Sequence, residues 1–235
     1  MSCPCDKSSL NGTEWSPACI GHLWMFEGLS QEELIEVVNH ALRRKYQKGQ
    51  SVFVQGEAAK KISLIKGGRV KLTKLTEDGM EITLDIRKAG DFFGENVFNE
   101  DFNYPVSAWC LMDTFVCSFN KERFEELVVS YPRIGLQVIK NLSNHISYLT
   151  DRMGSMSLSS LEERLYRVLI NVAKEHGERK PEGIVIQFPL THEDLGFLIG
   201  AHRVSITRAM KSLRESGKII QKGRMLALPI DAIHC

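Results

Sequence analysis

Residues 190–219, LTHEDLGFLIGAHRVSITRAMKSLRESGKI, decide the fold of the C-terminal part of this 235-residue chain. Thr191 with Asp194 three positions later has the form of a capping box, so a helix starts there and runs to Ile199. Gly200 ends it and permits a tight turn. A second helix spans about 202–215, with Ile206, Met210 and Leu213 inward and Gly217 as the glycine just past its end. Gly196 is small where the two helices must cross, and Ile206 packs the second on the first. That is the spacing of a helix-turn-helix, whose second helix enters the major groove of DNA. Its outer face carries Arg203, Val204, Thr207, Arg208 and Lys211. Arginine can read guanine bidentately, Thr and Val can meet a thymine methyl, and Lys can bind phosphate. The following IIQKGRMLAL (219–228) gives two strand-like pieces around Gly223, a small β wing that carries Lys222.

Charge agrees with that assignment. The chain as a whole is nearly neutral, at +1, but residues 131–235 hold 15 Lys and Arg against 10 Asp and Glu. Between 202 and 224 there are seven basic residues and one acid, Glu215. A basic stripe in an otherwise neutral chain suggests an anionic partner, although a solvated helix face has the same composition.

Upstream, a helix is expected at Leu161–His176 and a short strand near Ile184–Phe188. Residues 155–160 are small and polar, a candidate hinge between domains. Before them Pro132 can occupy the first turn of a long helix. Along that helix Ile139, Leu142, Ile146, Leu149, Met153 and Met156 recur at intervals of 3, 4, 3, 4 and 3, a heptad seam. So narrow a stripe, flanked by Asn141, Asn144, His145, Asp151 and Arg152, fits a partner helix better than packing within one chain. A homodimeric coiled coil is therefore expected.

From Tyr46 to Phe119 the pattern changes to short β-branched runs (SVFVQ, ISLIKG, RVKLTKLT, EITLDI, VSAWCLM, TFVCSF) separated by turn signals every 8–12 residues. This predicts a small antiparallel barrel or jelly roll, with a hairpin turning at Asp78–Gly79. Residues 29–45 open with Ser30 and Glu33 as a capping box and predict a short amphipathic helix carrying Leu34, Val37, Val38 and Leu42. No apolar stretch approaches the ~18 residues of a membrane span. The N-terminal MSCPCDKSS lacks the hydrophobic core of a secretory signal, so the cytoplasm is the expected compartment. The sequence shows no Gly-rich phosphate loop, paired-carboxylate motif or nucleophile elbow, which argues against an enzyme.

Five motifs together resemble the CRP/FNR family of bacterial transcription regulators: KGQSVFVQGE (48–57), ISLIKGGRVKLTKLTEDGMEITL (62–84), KAGDFFGE (88–95), LEERL (161–165) and the helix-turn-helix stretch. The resemblance runs from about Phe26 to Leu228. It implies an α+β fold with an N-terminal jelly-roll sensor domain, a long dimerisation helix and a C-terminal winged helix-turn-helix. The expected divisions are a cysteine-bearing segment at 1–26, the sensor at 27–130, the helix at 131–158 and the DNA-binding domain at 159–235. The implied partners are double-stranded DNA, RNA polymerase and a second copy of the chain. The stretch His202–Arg208 looks closest to halorespiration regulators.

Two departures bear on the signal. Members that bind cyclic AMP hold its phosphate with an Arg-Ser pair before Ala-Trp. Here Val106 precedes Ser107–Ala108–Trp109, so the clamping guanidinium is missing and cyclic AMP is disfavoured. The oxygen-sensing branch ligates a [4Fe–4S] cluster with three N-terminal cysteines and one in the strand matching TFVCSF. Cys3, Cys5, Cys19 and Cys117 are the counterparts, though C-x-C-x13-C is spaced more widely than in that branch. Four thiolates suffice for a cluster. A reversible thiol–disulfide switch, or no role beyond burial for Cys117, are the other readings. An unidentified small molecule in the barrel is the alternative signal. That branch also places an acidic residue at the position of Leu149, so its absence predicts a dimer with or without an effector.

Overall fold

The computed structural model describes residues 24–99, 103–155, 160–181, 183–186, 188–223 and 225–233. A short 3-10 turn at Trp24–Phe26 leads into helix α1 (Gln31–His40). The capping box at its start is reciprocal: Ser30 Oγ accepts from the Glu33 amide at 3.2 Å, and a Glu33 carboxylate oxygen accepts from the Ser30 amide at 2.6 Å. The helix is shorter than the expected 29–45. Residues 42–46 instead form strand β1 (Leu42–Tyr46), paired antiparallel with β8 (Thr114–Asn120). Leu34 and Val37 are buried as expected, but Leu42 is 50% exposed. A β ladder has claimed backbone that helical periodicity alone would have continued. β1 lies at a sheet edge, where Arg43, Arg44 and Lys45 discourage pairing with other chains.

The remaining barrel strands are β2 (Ser51–Phe53), β3 (Lys61–Gly67), β4 (Arg69–Leu75), β5 (Glu81–Lys88), β6 (Phe92–Phe93) and β7 (Ser107–Cys110). They form two four-stranded sheets ordered β1-β8-β3-β6 and β2-β7-β4-β5, the expected jelly roll. Tyr46, Phe53, Ile65, Val70, Phe93 and Val116 fill one cluster inside it. Ile62, Leu64, Cys117 and Phe119 face another cluster, which Met25, Phe26, Leu34 and Val37 complete. The β4–β5 hairpin turns as expected, with Gly79 at φ +78° and the Thr76 amide donating to Met80 O at 2.9 Å.

A helix the sequence reading did not isolate, α2 (Lys121–Ser130), follows β8 and buries Phe124 and Leu127. Only Tyr131 separates it from the long helix α3 (Pro132–Ser155), which Pro132 opens. Residues 156–159 of the expected hinge, Met156 included, lie outside the described residues. Ser160 then caps α4 (Leu161–His176), accepting from the Glu163 amide at 3.0 Å.

The C-terminal unit adds β9 (Glu178–Lys180), β10 (Gly183–Ile186), α5 (His192–Ile199), α6 (Arg203–Glu215), β11 (Ile220–Lys222) and β12 (Met225–Leu228). The strands form one sheet ordered β11-β12-β10-β9. Leu165, Leu169, Leu195, Ile206, Leu213 and Leu228 lie at or below 1% exposure in its core, each worth about 1.5–3 kcal/mol on burial. Ile86 of β5 joins this same core, so the barrel and the C-terminal unit share apolar contact. Among the described residues no helix is long and apolar enough to cross a membrane.

Candidate nucleic-acid interface and sensor pocket

The helix-turn-helix is held by steric detail. A Cβ at Gly196 would stand 2.5 Å from Ala201 O and 3.6 Å from Ile206 Cγ1, so only glycine lets the turn close over α5. Gly200 caps that helix at φ +68°. Ile206 is fully buried. At the far end of α6 the Lys218 amide donates to Leu213 O and the Gly217 amide to Arg214 O, a Schellman closure on Gly217 at φ +71°.

This scaffold leaves one face of α6 to solvent. Arg203, Val204, Thr207, Arg208 and Lys211 are all exposed, Val204 at 63%. The Thr207 hydroxyl donates to Arg203 O at 3.0 Å and lies 2.9 Å from His192 Nδ1, which leaves its methyl as the group free to meet a base. Lys211 is 3.7 Å from Glu215, a loose pair between exposed side chains. Lys222 closes strand β11 of the wing, and its side chain lies outside the described residues.

The seam on α3 is likewise open. Ile139, Ile146 and Met153 are 63%, 64% and 72% exposed, Leu149 is 36% exposed and Leu142 is partly buried. Leu136 extends the stripe by one more turn at 66%. The other side of α3 presents Asn141, Asn144, His145 and Tyr148 to a cavity of about 490 Å³, bounded also by β5 and the end of α4.

The barrel interior near this cavity carries a charge cluster that sequence reading missed. Arg87 Nε lies 2.8 Å from Asp85 Oδ2, with both side chains only 6–7% exposed. Glu95 Oε1 is 3.8 Å from the same guanidinium, and His145 Nε2 is 3.4 Å from Asp85. A buried guanidinium is therefore present, supplied by β5 and neutralised by carboxylates, whereas Val106 supplies none. The Ser107 hydroxyl accepts from the Gln55 amide at 2.9 Å. Gly94, at φ +84°, starts a 3-10 turn, and its missing Cβ would meet Lys61 O at 2.8 Å.

Of the four expected cluster ligands, Cys3, Cys5 and Cys19 lie outside the described residues. Cys117 is 3% exposed among Met25, Phe26 and Phe119. Burial raises its thiol pKa, and the positive charges of Lys66 and Arg43 work against that rise. Among the described residues no three His, Cys, Asp or Glu side chains are placed to hold a metal ion. Cys117 nevertheless fits one position of a thiolate set. Met25 and Phe26 pack in its own cluster, and Cys19 is six residues before Met25, within a reach of about 20 Å. Cys110 is also buried, at 2%.

A second missed feature joins the domains. Asp194, recognised in the sequence only as a capping residue, uses both oxygens. Oδ2 accepts from the Thr191 amide (3.1 Å) and hydroxyl (2.6 Å), and Oδ1 accepts from Lys71 Nζ (3.0 Å) and Thr83 Oγ1 (2.8 Å) of the barrel. Burial pushes its pKa up, but the bonds from Thr191 and Lys71 outweigh burial and hold the carboxyl below its ordinary value. No local sequence signal reports such a contact, because the partners lie 123 and 111 residues away.

Comparison with known proteins places each half. Residues 43–131 match the cyclic nucleotide-binding domain family and residues 163–232 match the Crp-like helix-turn-helix domain. The chain is 30% identical over 206 residues to the anaerobic regulatory protein of Bacillus subtilis (strain 168), covering 86% of each. It is 26% identical over 201 residues to the fumarate and nitrate reduction regulatory protein of Escherichia coli (strain K12), covering 85% of this chain and 80% of that one. Among solved structures, the c-di-GMP responsive global regulator of Xanthomonas campestris shares the fold with a TM-score of 0.71 at 22% identity, over 85% of this chain and 99% of that chain.

Proposed function

Because the chain belongs to the CRP/FNR family of transcription regulators, we propose that it acts as a cytoplasmic homodimer that reads a DNA palindrome with α6 and answers to redox state. The observation that carries the DNA reading is the exposed face of α6, with Arg203, Val204, Thr207, Arg208 and Lys211 together on it. Arg208 reads a guanine, Val204 and the Thr207 methyl face thymine, and Lys211 with Lys222 of the wing binds phosphates. Val204 cannot accept from a cytosine amine, so an A·T-rich half-site is expected there. The stripe of Ile139, Leu142, Ile146, Leu149 and Met153 on α3, which the sequence continues to Met156 outside the described residues, supports pairing of two α3 helices, which sets the half-sites about 34 Å apart. RNA polymerase is the proposed protein partner.

Selection from random DNA tests this reading. A palindrome with A·T pairs opposite Val204 is expected, and G·C-rich pairs there would overturn the Val204 assignment. Arg208→Ala should cost about 1–3 kcal/mol and relax specificity at one base pair. In sedimentation the wild-type protein should run as a dimer, and Leu149→Asp should give monomers that no longer hold the palindrome.

For the signal, Cys3, Cys5, Cys19 and Cys117 would together hold a [4Fe–4S] cluster through thiolates. When bound, that group would supply sensitivity to oxygen. The chain's own contribution is to pack Met25 and Phe26 in the cluster of Cys117 and to offset thiolate charge with Lys66 and Arg43. Iron and sulfide analysis of anaerobically purified protein tests it. Iron-free protein that still responds to a dithiol reductant would favour a disulfide switch instead. The cavity beside His145 favours a second reading, in which a small molecule other than cyclic AMP is the effector. Indifference to both oxygen and reductant would select it.

A further inference from the structure

We propose that Lys71 and Thr83 of the sensor barrel are positioning residues for DNA binding, acting through Asp194 to set the angle at which the helix-turn-helix stands on the barrel. The two side chains come from adjacent strands: Thr73 of β4 lies opposite Thr83 of β5, and Lys71 is two residues before Thr73. They converge on one carboxylate oxygen, Asp194 Oδ1, at 3.0 and 2.8 Å. Asp194 and Thr83 are only 6% and 3% exposed, and the Lys71 side chain is 21% exposed. The other oxygen is fully used by Thr191, so the two oxygens of Asp194 divide cleanly between building α5 and docking it.

The contact is not isolated. Ile86, further along β5, enters the core of the DNA-binding unit. Lys88 at the end of that strand pairs with Glu175 of α4, and Arg69 of β4 donates to His176 O at 3.5 Å. These contacts grip the start of α5 and the end of α4. None involves Arg203, Val204, Arg208 or Lys211, so the docked unit keeps its reading face open. Docking is thus compatible with DNA and restricts orientation. In the dimer proposed above, the distance between two recognition helices depends on the angle each unit makes with its own barrel. Fixing that angle before DNA arrives lowers the orientational cost of engaging both half-sites at once. The inference rests on the dimeric DNA-binding reading, but the barrel contact can also be measured without DNA.

Lys71→Met tests it, because it removes the barrel's ammonium and leaves the Thr191–Asp194 capping box intact. The full-length protein would be measured on the palindrome recovered by selection, on versions with one base pair added or removed at the centre, and on a single half-site. Affinity for the natural spacing should fall about tenfold, the preference for that spacing should flatten, and half-site affinity should stay unchanged. Lys71→Arg should restore the spacing preference. Amide exchange across 195–199, followed without DNA, should speed up in Lys71→Met and return in Lys71→Arg. If Lys71→Met does not fold, Thr83→Val removes the second donor and is read in the same way. Unchanged spacing preference and exchange would overturn the proposal, as would an equal loss on the palindrome and the half-site. If the wild-type protein selects no palindrome, the dimeric reading fails, and amide exchange alone then decides whether Lys71 holds the unit to the barrel.

Discussion

In the barrel, Asp85 and Arg87 are each only 5% exposed, with Glu95 and His145 arranged around them. In the DNA-binding unit the core is aliphatic and aromatic, and among the described residues its buried polar groups, Asp194 and His176, stand at the rim facing the barrel. Both halves have apolar clusters but place charge differently. Removing ions from water is expensive unless each keeps its partner, so the barrel interior is tuned by mutual neutralisation. The DNA-binding unit depends on shape, as the tight approach at Gly196 illustrates. The two halves are thereby made sensitive to different disturbances.

The contrast can be broken most sharply at Arg87. Arg87→Leu removes the guanidinium beside the buried Asp85 carboxylate and should destabilise the barrel by about 3–5 kcal/mol. Denaturant unfolding should then show the barrel melting ahead of the DNA-binding unit, and changing Asp85 to Leu as well should recover part of the loss. Equal melting of the two halves would show that the ion cluster does not set barrel stability.

An effect smaller per pH unit is expected at His176. Burial first, then the charges of Arg69 and Lys88, pushes its pKa from 6.5 down to about 3. The unfolded chain therefore takes up this proton while the folded one does not. Stability contributed by the neutral imidazole is complete above about pH 6.5 and is lost as pH falls toward 3, by up to about 1.4 kcal/mol per unit. His176→Phe should flatten that part of the stability–pH curve, and an unchanged slope would contradict the assignment. The smallest effect belongs to Thr191→Ala, about 1 kcal/mol for the lost cap, seen as a modest drop in Tm of the DNA-binding unit alone.

What could be read from the sequence was local. Gly196, Gly200 and Ile206 lie within eleven residues, and each constraint acts on its near neighbours, so the helix-turn-helix followed from spacing. The same holds for the Ser30 cap and the Asp78–Gly79 hairpin. β1 was hidden because LRRKY has no strand alternation of its own, and its ladder depends on β8, some seventy residues later. The Asp85–Arg87–Glu95–His145 cluster was hidden for another reason. Residues 85–87 of β5 are buried without a break, so charges on that strand do not alternate with an exposed face as sequence patterns assume. Asp194 was half legible: its cap is local, and its grip on the barrel is not.

One single-residue joint has a mechanical consequence. Tyr131 alone separates α2 from α3, and its hydroxyl is tied to Glu36 of α1 at 2.5 Å. The 24 residues beyond it form a rod roughly 36 Å long, since each residue adds about 1.5 Å. A tilt of about 5° at the tyrosine would sweep the far end through about 3 Å, comparable to the rise of one base-pair step in DNA. A displacement of a few tenths of an ångström beside α1 is thus magnified into one that a helix lying in a groove can register.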